Sequence, residues 1–388
     1  MRSKRFAALG AIAAMALSLG ACSTVGGGDG STTPAGGTET TAPAGGTETG
    51  GTETGGTETT PGSGGEEAPA GGPFTIGVSN GFVGSEYRTQ MIEDIEEAAA
   101  PYQDEGILND LVLENADTDV NGQIQQVRNL INAGVDAIII DPNSGTALDA
   151  VFREATDQGI LVFAIDQAVD TETVINVGID QGAWAAESAK WVAEKVGEGG
   201  NVVVVNGISG HPANEARWAA AEAEFDAVGA NVLTIVDGGW DQTTGQQQMT
   251  TLLATYPEID GVWTQDGMGF GILQALITAD RQNDVVMSGE ARGGFMRLWS
   301  EQDDTFESVA VVNPPGTGAT ALHFAVAMLQ GKSIKADHLT DGHNVILDLE
   351  PTITNDNFEQ IWGEYQDMGD NYVVDSILTR EQVAEMVE

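Results

Sequence analysis

The chain has 388 residues, and its 15 Lys and Arg stand against 59 Asp and Glu, a formal charge of −44. That balance excludes a nucleic acid gripped through its phosphates and a basic face laid on anionic lipid, since both need clustered cations. Hydrophobic residues make up 41%, enough for a sizeable core, and a single cysteine excludes an internal disulfide framework. The length fits two domains, or one domain with an appendage.

Arg2, Lys4 and Arg5 precede an apolar run from Phe6 to Leu19, which is short for a membrane span. The run ends in Leu19-Gly20-Ala21-Cys22, which resembles the lipobox of bacterial lipoproteins. The resemblance implies a signal peptide over 1–21 and a lipidated Cys22 at the mature N-terminus. The protein is then expected outside the cytoplasm, held on the bacterial cell membrane by that lipid. After Cys22, residues 23–72 are almost wholly Gly, Thr, Glu, Ser, Pro and Ala, with Gly-Gly-Thr-Glu-Thr recurring from Gly36, Gly45, Gly50 and Gly55. Such a composition cannot offset its ordering entropy by burial, so 22–72 is expected to be a disordered tether, or a glycosylated stalk, reaching roughly 40 Å. Residues 73–388 retain 12 Lys and Arg against 52 Asp and Glu, a formal −40. The acids are spread along the chain, which reads as a solvated acidic surface rather than a docking patch.

From residue 74 the pattern alternates strand and helix. Phe74–Ser79 reads as a buried strand, Met91–Ala100 as part of a helix, and Leu111–Glu114 as a second strand. Ile124, Val127, Leu130 and Ile131 lie on one face of a helix over 122–133, followed by a doubly buried strand at Ala137–Ile140. Leu148, Val151, Phe152 and Ala155 mark the next helix, and Leu161–Ile165 the next strand. The series repeats with strands at Val202–Val205, Val232–Val236, Gly261–Thr264, Val285–Ser288 and Val309–Val312, and with a helix carrying Met249, Leu252, Leu253 and Tyr256. This predicts an α/β chain with two doubly wound, Rossmann-like lobes built on parallel sheets.

Ligands of such sheets sit beyond the carboxyl ends of the strands, so the residues found there matter most. They include Phe82 and Arg88 after the first strand, Asp141 after the third, and Asp166-Gln167 after the fourth. In the second half come Asn206 to Arg217, Trp240, Gln265-Asp266, Glu290 and Asn313. Singly each has a plain reading: Asp141 as a turn or capping residue before Pro142, Trp240 as core. Together, planar groups able to engage paired hydroxyls and aromatic rings able to cover a C–H face suit a sugar or polyol.

Gly134-Val135-Asp136-Ala137-Ile138-Ile139-Ile140-Asp141-Pro142 resembles a hallmark of the periplasmic sugar-binding proteins of ABC transporters, the type I fold of ribose, galactose and galactofuranose binders. The likeness runs over roughly 74–335, through Val162 to Asp166, Gly207 to Arg217, Asp237 to Asp241 and Gln265-Asp266. It implies a ligand cleft lined by Asp166, Arg217, Trp240, Gln265, Glu290 and Asn313, with Phe82 and Arg88 approaching from the first loop. It further implies a three-strand hinge, with one lobe of about 74–178 plus 314–345 and another of about 179–312 plus 349–388. The implied partners are a sugar and the membrane permease subunits, without cofactor, metal or nucleic acid, and the protein is expected to be a monomer. Three departures stand out. The first loop reads Asn80-Gly81-Phe82-Val83, where ribose binders carry Asn-Pro-Phe-Phe; Gln167 stands where the family usually has Arg, and Glu290 where it usually has Asp.

Other signals point elsewhere and are weaker. Asp117 to Gly122 matches half of an EF-hand loop, but Arg128 occupies the position of its bidentate Glu, so helix capping by Asp119 or Asn121 explains the stretch. Gly267 to Gly271 lacks the spacing of a dinucleotide loop. Four His without metal-ligand spacing, and Ser209 outside any nucleophile turn, favour binding over an enzyme. His211, between Gly210 and Pro212, is the one His expected near the cleft. A nucleoside or signal-molecule receptor on the same fold is the alternative reading, and a glycosidase using Asp166 and Glu290 a more distant one.

Overall fold

The computed structural model describes residues 72–388; the expected signal peptide, Cys22 and the expected tether up to residue 71 lie outside that range. The first lobe is built on β1 (Ile76–Asn80), β2 (Val112–Asn115), β3 (Ala137–Asp141), β4 (Leu161–Ile165), β5 (Ile175–Gly178) and the later β11 (Asn344–Ile346). They form one parallel sheet in the order β11-β5-β4-β3-β1-β2. Around it lie α1 (Glu86–Asp104), α2 (Val120–Ala133), α3 (Asp149–Thr156) and α9 (Thr317–Leu329).

The second lobe repeats the plan. Its helices are α4 (Gln181–Val196), α5 (Pro212–Val228), α6 (Gln242–Thr255), α7 (Gly269–Thr278), α8 (Gly293–Ser300) and α10 (Phe358–Tyr365). Its strands are β6 (Asn201–Asn206), β7 (Asn231–Asp237), β8 (Gly261–Thr264), β9 (Val286–Glu290), β10 (Ser308–Val311) and β12 (Ile353–Thr354). Their order is β12-β10-β9-β8-β6-β7, with only the edge strand β12 antiparallel. In each sheet the chain order reverses beside the first strand of the lobe, which opens a crevice there at the carboxyl ends.

The local causes are legible. All five residues of β3 are buried, as a strand covered on both faces requires. Asp119 caps α2 by accepting from Gly122 N at 2.9 Å, and Gly134 ends it in the left-handed region at φ 73°. This is the capping role expected of the calcium-loop-like stretch. Between those ends Val127, Leu130 and Ile131 are buried. Leu130 lies so close to β1 that a Cβ on Gly77 would fall 2.8 Å from its methyl, so any larger residue there would make Leu130 shift. β5, β11 and β12, with four, three and two residues, are too short to announce themselves by periodicity.

The chain passes between lobes between β5 and α4, between β10 and α9, and between β11 and β12. Leu347 N donates to Gly178 O at 2.8 Å, tying the third passage to the first. A fourth passage adds to the three expected. Val374 N donates to Ala291 O in the second lobe, yet α11 (Arg380–Met386) packs on α9 and Val387 bridges to Ile334. The placing of all of 349–388 in the second lobe is therefore corrected for its last residues. Val383 and Val387 are buried on the first lobe, and their apolar spacing would have served either one.

Candidate functional site

A narrow cleft lies between the lobes, where the strand ends of both sheets converge. From the first lobe it receives Phe82, Tyr87, Arg88, Asp166 and Gln167; from the second, Arg217, Trp240, Asp266 and Arg292; and from the second passage, Asn313. Three of the 12 basic residues of 73–388 thus meet in one place, and Arg88, Arg217 and Arg292 are each at most 5% exposed. Buried cations need partners, and each has them.

Arg217 is held on three sides. Its Nε donates to Gln181 Oε1 at 2.8 Å, its Nη1 to Asp266 Oδ1 at 2.7 Å, and its guanidinium stacks 4.1 Å above the Trp184 ring. Arg88 pairs with Asp141 and donates to Asn80 Oδ1 at 3.1 Å. Asp141 is thus the buried partner of a cleft arginine, its carboxyl pushed well up by burial against the pull of Arg88, and the turn-or-cap reading is corrected. Arg292 crosses the cleft to Glu86 at 3.0 Å and contacts Glu290 at 3.0 Å, the latter by charge rather than by an aligned hydrogen bond.

Asp166 accepts from Gln167 at 2.7 Å, Gln181 at 3.2 Å and Asn313 at 3.3 Å. Burial opposes its ionisation, but the charges of Arg88 and Arg217 outweigh that and hold its carboxyl below the ordinary value. It is a standing acceptor. Burial pushes the Glu290 carboxyl up against the pull of Arg292, and pushes His211 down to about 4, with Arg88 adding to the shift.

Among the described residues, two of the four non-glycine positions with positive φ line this cleft: Asp166 at 60° and Trp240 at 55°. Left-handed backbone at such residues costs on the order of 1–3 kcal/mol and persists where the surroundings impose it. For Trp240 the surroundings are visible. Its Nε1 donates to Gln265 Oε1 at 2.9 Å, and its indole occupies the space of a missing side chain on Gly207, whose Cβ would lie 2.1 Å from the ring.

Of the eight expected ligand-binding residues, Phe82, Arg88, Asp166, Arg217, Trp240 and Asn313 share the cleft lining. Gln265 and Glu290 do not. Gln265 is fully buried behind Trp240, donating to Asn214 at 2.9 Å and Asn206 at 3.3 Å. Glu290 lies under the floor, where it accepts from Gly267 N and faces Arg292. In their places stand Asp266, which accepts from both Arg217 and Asn313, and Arg292, which sequence reasoning missed. The scarcity of basic residues was the signal available for Arg292, a lone cation two residues past the end of β9.

The arrangement offers fixed acceptors, forked donors and an aromatic wall inside a partly desolvated slot, all suited to neutral hydroxyl groups. Comparison with known proteins agrees in kind. The model of the periplasmic binding protein domain matches residues 76–333. A xylitol-binding protein of Mycolicibacterium smegmatis is 28% identical over 64% of this chain and 70% of its own. The ribose import binding protein of Bacillus subtilis is 26% identical over 68% and 84%. The crystal structure of an ABC transporter solute binding protein from Thermobispora bispora superposes with a TM-score of 0.71 at 25% identity, covering 81% of this chain and 94% of that one.

Proposed function

The chain belongs to the family of periplasmic binding protein domains, and from that premise we propose that it captures a monosaccharide or related polyol between its lobes for an ABC-type permease. The observation that carries this reading is the cleft itself. Arg88 and Arg217 come with carboxyl partners beside Asp166 and the Trp240 ring, so the slot is polar, its cations are engaged, and it is flanked by an apolar wall. A neutral polyol, cyclic or open-chain, suits such a slot, and the named ligands of the relatives, xylitol and ribose, are of that class. Asp166, Arg217 and Asn313 would take the hydroxyls, with Trp240 and Phe82 against the C–H face. The work is binding and closure, with no bond made or broken.

A thermal-shift screen of the purified full chain against pentoses, hexoses, polyols and nucleosides tests the reading. A ligand that binds only the native state raises stability by RT ln(1 + [L]/Kd), so even a modest binder registers. A screen in which no sugar or polyol moves the melting temperature would sink it. The receptor would be anchored through lipid on Cys22 and reach the permease on its tether. Cys22→Ser should then leave ligand binding intact and release the protein from membranes; a mutant that still sediments with salt-washed membranes removes the anchor from the proposal.

A further inference from the structure

Outside the cleft proper, the interlobe space opens toward solvent into a second, more exposed chamber that shares Phe82, Arg88 and Trp240 with it. Val120 closes it from the first lobe and Ile208 and His211 from the second. Its character differs from that of the cleft. Arg88 is its one cation and is already engaged by Asp141, and the Asp119 carboxylate is committed to capping α2. Ring faces and aliphatic surface make up much of the rest: Trp240 meets His211 edge-on at 4.8 Å between centroids, and Ile208, which lines the space, is 37% exposed overall. Such exposure of a large aliphatic chain at the mouth of a buried site leaves apolar area for a ligand to cover.

A single sugar ring held by Asp166, Arg217 and Asn313 would leave the Ile208 and Val120 side of this chamber uncovered. We propose that the ligand is a glycoside: its polyol ring occupies the cleft, and a neutral, flat-faced substituent extends between Ile208, His211 and Trp240 on one side and Phe82 and Val120 on the other. The proposal rests on the sugar-binding reading above and narrows it. An anionic substituent such as a phosphate is disfavoured, since no uncommitted cation lines the chamber and the protein carries −40 on residues 73–388. A planar base, an aryl aglycone and a second sugar ring share the required chemistry, and the test separates them.

The test is titration calorimetry of the full chain with D-ribose, D-xylose and D-galactose, set against their phenyl glycosides, the nucleosides adenosine and uridine, and galactose- and xylose-containing disaccharides. At least one extended probe should bind about tenfold or more tighter than its parent sugar, as covering on the order of 100 Å² of apolar surface implies. Which series gains identifies the substituent. In the double variant Ile208→Asp, Val120→Asp that advantage should vanish while the parent sugar binds as before; the single Ile208→Ser, at an exposed site, serves if the double variant does not fold. Parent sugars that bind as well as every extended probe overturn the proposal and leave the sugar reading standing. So does an advantage that survives the chamber variants. If neither parents nor extended probes bind, the sugar reading itself falls, and this proposal with it.

Discussion

Arg217 and Trp240 illustrate two ways of fixing a side chain where a ligand would need it. Arg217 is positioned by bonds and stacking, to Gln181, Asp266 and Trp184. Arg217→Ala should weaken binding of the ligand found in the screen by about 2–4 kcal/mol in calorimetry, the scale of charge-assisted hydrogen bonds lost from a desolvated site. An unchanged affinity would place Arg217 outside the binding machinery. Trp240 is positioned by an absence, the missing side chain of Gly207. Gly207→Ala puts a methyl into the indole and must displace it. The expected result is a loss of affinity of about tenfold or more with a shifted Trp emission, since the ring both walls the cleft and is held by Gln265. Emission and affinity equal to those of the parent protein would mean that the ring position does not matter.

At the scale of elements, the fourth passage is pinned to α1 by unusual means. Gln90 exchanges two hydrogen bonds with the backbone of Val373, at 3.0 and 2.9 Å, and Asp94 on the same helix faces Asp375. Asp375 Oδ1 accepts from Gly316 N of the second passage at 2.9 Å and from Ser376 N at 2.7 Å. Asp94 Oδ2 and Asp375 Oδ2 are hidden from solvent, and neither has a donor. One shared proton would satisfy both. Burial, then the Asp375 charge, push Asp94 up to about 8, with Glu97 and Glu93 adding to the shift. A carboxyl raised in the folded state contributes stability that is complete below its unfolded value of about 3.9 and is lost as pH rises through the folded one. The melting temperature should therefore fall between pH 5 and pH 9, and Asp94→Asn, whose amide donates at any pH, should flatten that slope. A variant with the parent protein's slope over the same interval would show that the pair is not protonated.

For the whole molecule, the decisive contacts are those that join the lobes. Gln167 Oε1 accepts from Ala213 N at 2.9 Å, Arg292 reaches Glu86, and Asn313 donates to Asp166 and Asp266. A ligand that bonds Asp166 on one lobe and Arg217 on the other makes those contacts only when the lobes are together, and such differential contact is what shifts a conformational equilibrium. The ligand should reduce the radius of gyration in solution scattering and change Trp emission in parallel. Trp240→Phe should remove much of the optical signal and keep the compaction. A tight ligand that leaves the scattering curve unaltered would speak against hinged closure.

What the sequence determined by itself was periodic and local. Runs such as Ala137–Ile140, buried along their whole length, declare their strands, and the Asp119 cap and Gly134 stop declare α2. The alternation of strand and helix then obliges a parallel sheet in each half, whose strand ends pick out Asp166, Arg217, Trp240 and Asn313. Side chains just past a strand end escape that logic. Beyond β8 the pleat no longer dictates direction, so tertiary packing alone turned Gln265 inward to Trp240 and Asp266 outward to the cleft. The same holds for Arg292, whose partners Glu86 and Glu290 come from different lobes, and for α11, whose short apolar face fits either lobe until α9 is in place. The outer chamber belongs to no segment at all. It exists only because Val120 and Ile208, 88 positions apart in the chain, end on facing lobes with Trp240 between them.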